Sequence, residues 1–410
     1  MNNTPELLSP AGDLDKMRFG IAYGADAVYM AGTRFGMRAA ATNFDDNALR
    51  EGIAYAHAHG VKCYITVNIM PSNRDLPALP AYLELLQDVG ADALIIADVG
   101  VLRMARRYAP RVPVHISTQT SILNHEAANY WADEGAERIV LARELSLEEI
   151  AEIRAKTPKE LEIEAFVHGA MCISYSGRCL ISQYMTGRDA NHGACAQPCR
   201  WNYSLMEEKR PGQFFPVEED GRGTYLYNSK DMCMIGHIPE LIRAGVDSFK
   251  IEGRNKTAYY AACVTGAYRA AIDAYRASPE TFVLPEFCTE EVNKVSHREY
   301  YTGFYFGSGE NGQHYGDSQY IREYEVVGMP VECDDSGKAV FALKNRFFDG
   351  EELELIQPGQ APYVFRAENV TDDEGTKREL FNVPQMRVHF VFPFKVSEWA
   401  ILRKAKERPE

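Results

Sequence analysis

The sequence predicts an α/β fold: a (β/α)8 barrel of the TIM type, interrupted after its seventh strand by a cysteine-rich insertion and followed by a small C-terminal β-barrel domain. Two observations carry the barrel. A helix-to-strand phrase recurs, as Gly24-Ala-Asp-Ala-Val-Tyr-Met, Gly90-Ala-Asp-Ala-Leu-Ile-Ile, Gly135-Ala-Glu-Arg-Ile-Val-Leu and Gly245-Val-Asp-Ser-Phe-Lys-Ile. In each, a glycine ends a helix, an acid turns the chain and a short apolar strand follows. Completing the gaps then yields eight strand–helix units, the count a closed barrel requires. The second domain rests on a change of pattern near Tyr324, where helical spacing gives way to short strands. A chain of 410 residues also exceeds the ~250–300 at which a single core stops growing.

Taken in order, the predicted strands are Glu6–Ser9, Ala27–Met30, Lys62–Asn68, Ala93–Ala97, Val112–Thr118, Arg138–Ala142, Leu161–His168 and Ser248–Glu252. Helical spacing fills the intervals at Asn47–His59, Leu76–Val89 and Ser146–Ala155, the last opened by a Ser146-x-x-Glu149 capping box. A doubly wound open sheet would carry a glycine-rich phosphate loop after its first strand, and Ser9-Pro-Ala-Gly12 is not one. After strand eight, Thr257–Arg276 reads as an amphipathic helix. The aromatic run His297–Phe306 reads as packing over a barrel end rather than a base-stacking platform, and Asn311–Ser318 as a linker. The expected domains are therefore 1–320, with the insertion at 170–246, and 321–410.

The insertion holds four of the nine cysteines, Cys172, Cys179, Cys195 and Cys199, spaced C-x6-C-x15-C-x3-C. Met1–Pro10 has neither a basic start nor a long apolar run, so the reading is a reduced, cytoplasmic chain in which disulfides are disfavoured. Crowded thiolates then need a cation between them. Zinc knuckles space their pairs more tightly and regularly than this loop does, which favours an iron–sulfur centre over zinc. Cys63, Cys263, Cys288 and Cys333 stand apart and read as packed side chains.

No apolar run spans a bilayer. The net charge of −14 argues against broad attraction to nucleic acid but leaves room for a local basic patch. Arg103, Arg106, Arg107 and Arg111 form one candidate patch, and Arg200, Lys209 and Arg210 another.

Barrel active sites lie at the C-terminal strand ends. Residues there become pocket candidates: Arg34, Asn68, Asp98, Gln119, Arg143, Lys250, Glu252 and Arg254. Lys250 and Glu252 alternate onto one face of strand eight, where burial requires a partner or a ligand.

The run Glu164-x-Phe-x2-Gly-Ala-Met-Cys172-x4-Gly-x-Cys179-x-Ile-Ser182 closely resembles the signature of the collagenase-like family catalogued as peptidases. Glu6-Leu-Leu-Ser-Pro-Ala-Gly12, Asn228-Ser-Lys-Asp231 and Lys250-Ile-Glu-Gly-Arg254 are similar to it too, so the likeness covers nearly the whole chain. It resembles most the family's long branch, the prephenate-dependent tRNA uridine hydroxylases. That resemblance implies hydroxylation of wobble uridine at C5 without molecular oxygen, with tRNA as partner, prephenate as co-substrate and a 4Fe–4S cluster on Cys172, Cys179, Cys195 and Cys199. A sister branch takes its last ligand from farther downstream, which makes Cys233 the competitor of Cys199. Other branches hydroxylate ribosomal RNA or a ubiquinone precursor. Bidentate arginine suits the two carboxylates of prephenate, so Arg34, Asn68, Gln119, Arg143, Lys250 and Arg254 are the expected substrate-binding set. His168 and Glu252 are the expected proton carriers. Peptidase action lacks its sequence marks: there is no H-E-x-x-H and no G-x-S-x-G. A homo-oligomer and a pairing with a homologue both fit the sequence.

Overall fold

The computed structural model describes residues 4–37, 42–171, 179–200, 204–206, 214–216, 230–307 and 320–406. Eight parallel strands follow one another round a closed ring: β1 (Glu6–Pro10), β2 (Ala27–Met30), β3 (Lys62–Val67), β4 (Ala93–Ile96), β5 (Val114–Ile116), β6 (Arg138–Val140), β7 (Glu162–Ala170) and β8 (Ser248–Ile251). Closure comes from β8, which pairs with β1 on one side and β7 on the other. Helices α1 (Leu14–Ala22), α2 (Asp46–Ala58), α3 (Leu79–Asp88), α4 (Val99–Tyr108), α5 (His125–Asp133) and α6 (Leu147–Ala155) follow the first six strands in turn.

Their starts are dictated locally. Asp13, Asp45, Asp98, Asn124 and Ser146 each cap a helix by accepting a backbone N–H three residues on, and Ser146 with Glu149 completes the predicted capping box. Asp98, a pocket candidate from sequence, is used up as the α4 cap. The main core lies between strands and helices, where Leu7, Val28, Ile65, Leu94 and Ile139 meet Met17, Leu49, Leu83 and Ile150. A smaller apolar layer of Leu8, Ala27, Tyr29, Tyr64, Ala93 and Ile95 fills the barrel itself.

The insertion contributes α7 (Ile181–Thr186) and a strand, Asp231–Cys233, that runs antiparallel to the end of β7. Tyr300–Tyr301 adds beside that strand. Tyr305 donates to the Phe166 carbonyl at 2.6 Å, so much of the aromatic run packs over the barrel as expected. Helix α8 (Ile238–Arg243) leads into β8; α9 (Ala258–Ala277) and α10 (Glu286–Asn293) follow it. The predicted linker 311–318 lies outside the described residues, as do Lys209 and Arg210.

The C-terminal part is a seven-stranded antiparallel sheet around its own core of Phe341, Phe347, Leu355, Phe381 and Phe390. It is clamped to the barrel by Arg403, which is fully buried. The Arg403 guanidinium donates to Glu354 of its own sheet at 2.8 and 2.6 Å, and to Glu291 on α10 at 2.7 Å and through a second, shorter contact. It also reaches the Tyr259 hydroxyl on α9 at 3.1 Å. Lys294 adds two 3.0 Å bonds to Glu354.

Candidate active site

The barrel is sealed at its N-terminal end. Arg138, at the start of β6, crosses to Glu6 on β1 (2.6 Å), Glu164 on β7 (3.1 Å) and Ser248 on β8 (3.2 Å), with Tyr64 from β3 beneath its guanidinium. Tyr64 donates to Glu6 at 2.6 Å. Burial alone would raise the Glu6 carboxyl, but the charge and hydrogen bond of Arg138 bring it below its ordinary range. His115 sits in the same layer against Tyr64. Burial, reinforced by the Arg138 and Lys250 charges, holds it neutral.

One layer higher the interior becomes cationic. Lys250 donates to Glu164 at 2.6 Å and lies 4.5 Å from the Tyr29 ring. Arg143 donates to the Ala170 carbonyl at 2.8 Å with its guanidinium over Phe166. Arg254 reaches Thr66 on β3 at 3.4 Å. Asn68 donates to Ser117 at 3.4 Å, and Ser117 to Gln119 at 2.8 Å. The structure thus gathers Asn68, Gln119, Arg143, Lys250 and Arg254 at the C-terminal half of one barrel. Arg34 does not join them: it pairs outside with Asp46 at 3.0 Å and lies over Tyr82.

Two glycines let the strand ends come this close. A Cβ on Gly12 would stand 2.1 Å from the Arg254 carbonyl oxygen, and one on Gly169, whose φ is +106°, would stand 2.3 Å from that of Glu252. Any side chain at either position would push the β8 exit, with Glu252 and Arg254, off its seat.

Beside the mouth runs a cleft of ≈ 890 Å³ between barrel, insertion and β domain. Ala170 and Met171 join it to the Arg143 layer. Cys195, Cys199 and Glu252 line it together, and Glu252 is the one carboxylate on this wall among the described residues. Glu252 accepts from the Tyr29 hydroxyl at 3.4 Å, and its backbone carbonyl is held by Tyr260 at 3.0 Å. The loop bearing Cys195 is tied to the segment after Cys179, because the Ala196 N–H donates to Ser182 at 3.0 Å. None of the eight described cysteines is in a disulfide, and Cys172 lies outside the described residues. Among the described residues no three His, Cys, Asp or Glu side chains converge as a ready metal site. Cys179, Cys195 and Cys199 are nonetheless all outside any disulfide and on one tied segment, a donor set that fits a thiolate-bound cluster.

His168 is not on the cleft wall. Its ring is buried behind Tyr260, among Tyr268 and Tyr300, with Nε2 3.3 Å from the Tyr300 hydroxyl. Burial first, then the charges of His297 and Lys256, push its pKa down to about 3. It is a neutral, positioned imidazole. Cys233 pairs across the sheet with His168, and burial pushes its thiol up to about 11. A cysteine peptidase needs opposite shifts, toward thiolate and imidazolium.

Sequence reasoning missed the wall residues contributed from far along the chain: Lys256, Tyr320, Arg322, Lys344 and Lys406. The signal available was weak, since lysines and arginines flanking short strands are ordinary surface residues. No helix among the described residues is long and apolar enough to cross a membrane.

Comparison with known proteins agrees with this architecture. The model of peptidase family U32 matches residues 12–315, and that of the peptidase family U32 C-terminal domain matches 322–403. The chain is 39% identical to tRNA hydroxylation protein P1 of Bacillus subtilis (strain 168), over 98% of this chain and 95% of that protein. It is 38% identical to tRNA hydroxylation protein P of Escherichia coli (strain K12), over 90% of each. It is also 40% identical to the 23S rRNA 5-hydroxycytidine C2501 synthase of Escherichia coli (strain K12), over 66% of this chain and 39% of that protein. With both models matched in sequence order across barrel and β domain, this chain belongs to peptidase family U32.

Proposed function

We propose that the protein is a tRNA hydroxylase that places a hydroxyl on C5 of wobble uridine, without molecular oxygen and with prephenate as co-substrate. The structural observation that carries the reading is the cleft in which Cys195 and Cys199 share a wall with Glu252, next to the cationic layer of Arg143, Lys250 and Arg254. Relatives named as tRNA hydroxylation proteins, alike over nearly the full chain, support the substrate class.

In this reading Cys172, Cys179, Cys195 and Cys199 hold a 4Fe–4S cluster, which supplies one-electron and Lewis-acid chemistry when bound. Cys199 is preferred to Cys233 because it lines the cleft with Cys195, whereas Cys233 packs beneath Tyr268 with a raised pKa. Arg143 and Arg254 orient the dicarboxylate through charge-assisted hydrogen bonds. Lys250, already neutralised by Glu164, steadies the layer below. Glu252 moves the proton at uridine C5, as the carboxylate within reach of the cleft. His168 keeps the end of β7 in place through Tyr300 and Tyr268 and does not touch substrate. An anticodon base suits such a site because it is already unpaired, so presenting it costs little.

The test incubates anaerobically reconstituted protein with unmodified tRNA, with and without prephenate, and digests the RNA for mass spectrometry. 5-Hydroxyuridine appearing only with prephenate is the expected result. A full cluster and competent tRNA giving no product, while ribosomal RNA or a quinone precursor is hydroxylated, would overturn the substrate assignment.

A further inference from the structure

The formal net charge is −14, yet among the described residues the cleft wall carries five cations against the single carboxylate of Glu252. Arg188 comes from the insertion, Lys256 from the turn after β8, and Arg322, Lys344 and Lys406 from the β domain. Arg188, Arg322, Lys344 and Lys406 are exposed and have no carboxylate partner among the described residues. Several cations elsewhere are paired with acids: Arg18 reaches Glu51 at 2.6 Å, Arg106 reaches Glu134 at 2.9 Å, and Arg269 reaches Asp273 at 2.7 Å.

Like charges do not gather without compensation. Here one aromatic ring collects several of them. Lys256 lies 4.5 Å, Arg298 4.9 Å and Arg322 5.6 Å from the centre of the Tyr320 ring, whose negative faces offset their repulsion. Tyr320 stands at the junction of the barrel and the β domain, between Arg298 of the one and Arg322 of the other, so one residue at the join organises the positive wall. Unneutralised cations along a concave wall raise the local concentration of a polyanion. At ≈ 890 Å³ the cleft is of single-ligand scale, suited to a short single strand and too small to enclose a duplex.

We infer that this cleft is the phosphodiester clamp of the protein, in which Arg322, Lys344 and Lys406 of the β domain and Arg188 of the insertion grip the backbone of a single-stranded RNA segment whose base meets Glu252. The inference rests on the RNA-modifying reading above and adds to it a separate duty for the β domain. These residues touch phosphate, not the reacting base, so they set affinity rather than the chemical step.

The experiment compares cluster-loaded full-length protein with its Lys344→Gln/Lys406→Gln double variant, and with Arg50→Gln/Lys159→Gln, exposed on α2 and on the loop before β7, as control. Binding of unmodified tRNA is measured from 50 to 200 mM salt, alongside hydroxylation kinetics. Each lost single-strand phosphate contact reduces the slope of log K against log salt by about 0.7. The double variant should therefore fall short of the wild-type slope by about 1.4, so that over this range wild type loses roughly sevenfold more affinity than the variant does. KM for tRNA should rise while kcat changes by less than about twofold, and Arg188→Gln should shift the slope by about half as much as the double variant. The control should match wild type. Unchanged slope and KM in the double variant, with tRNA still hydroxylated, refute the clamp and leave the reaction standing. A reduced slope in a protein that hydroxylates no RNA upholds the clamp and removes the reaction. Poly-glutamate bound as tightly as RNA, with the same dependence on Lys344 and Lys406, would assign the wall to an acidic protein partner and overturn the inference.

Discussion

Replacing Arg403 by methionine removes the guanidinium that bridges the β domain to the barrel while keeping most of the side chain's volume. The guanidinium is fully buried and satisfies Glu354 and Glu291 together, at 2.8, 2.6 and 2.7 Å with one shorter contact. Its loss leaves two buried carboxylates facing one another. Breaking a buried ion pair from one side costs ~3–5 kcal/mol. Lys294, which keeps two 3.0 Å bonds to Glu354, places the expected loss near the lower end of that range. Calorimetry reads the result in two ways. If the β domain melts as its own unit, a loss of ~3 kcal/mol moves its midpoint by at least about 12 °C; if the whole chain melts together, the shift stays within about 6 °C. The pH dependence has a definite sign. Burial would raise the Glu354 carboxyl, but Arg403 and Lys294 hold it below its ordinary value. That depressed pKa contributes stability above the unfolded value of about 4.3, lost as pH falls through the folded one. The variant lacks most of this contribution, so its deficit should be largest near neutrality and shrink below about pH 4. Replacing the whole group, with Glu291→Leu and Glu354→Met added to Arg403→Met, should recover most of the stability, since well-packed apolar side chains tolerate such a site. A single variant that loses less than about 1 kcal/mol, or a triple variant less stable than the single, would refute the reasoning.

Three further outcomes follow from the site. Serine at Cys199 should abolish iron binding in anaerobically purified protein, while serine at Cys233 should retain it; the reverse pattern in an iron assay would move the fourth ligand. Arg143→Ala and Arg254→Ala should each lower kcat/KM for prephenate by roughly 10- to 150-fold, the loss of a charge-assisted contact, with iron content unchanged. Glu252→Gln should lower kcat by ~10²–10⁴-fold, the usual contribution of a proton carrier, without weakening tRNA binding. Retained turnover in that variant would assign the proton to another group.

The barrel was legible because its repeat is local. Glycine, acid and apolar strand occur within seven residues, and Ala27–Met30 and Lys62–Val67 form where that phrase and its neighbours place them. Strand five is shorter than its pattern, Val114–Ile116, because Val112 closes the turn out of α4 and Thr118–Thr120 winds into a short helical turn. The mouth was legible to the extent that strand ends point inward. Arg34 stands at such an end, but Asp46 lies close enough in sequence to draw it outward. Arg138 was legible only as the first residue of strand six, and its role as the plug of the floor was not, since its partners Glu6 and Ser248 are more than a hundred residues away. His168 was legible as a residue and not as an environment: the tyrosines that keep it neutral come from α9 and beyond. The cationic wall was invisible for the same reason. It exists only once the β domain has docked.

The plug of Arg138 with Glu6, Glu164 and Tyr64 makes the barrel a blind well rather than a conduit. Among the described residues, the one opening toward Arg143 and Arg254 is the mouth that the cleft adjoins. For the reaction proposed above, traffic through one doorway would impose an order: the small dicarboxylate would load before the macromolecule lies across the entrance, and its remnant would depart only after the macromolecule has lifted away. Dead-end inhibition should reveal that queue, with an unreactive RNA trapping the small co-substrate inside and slowing its escape.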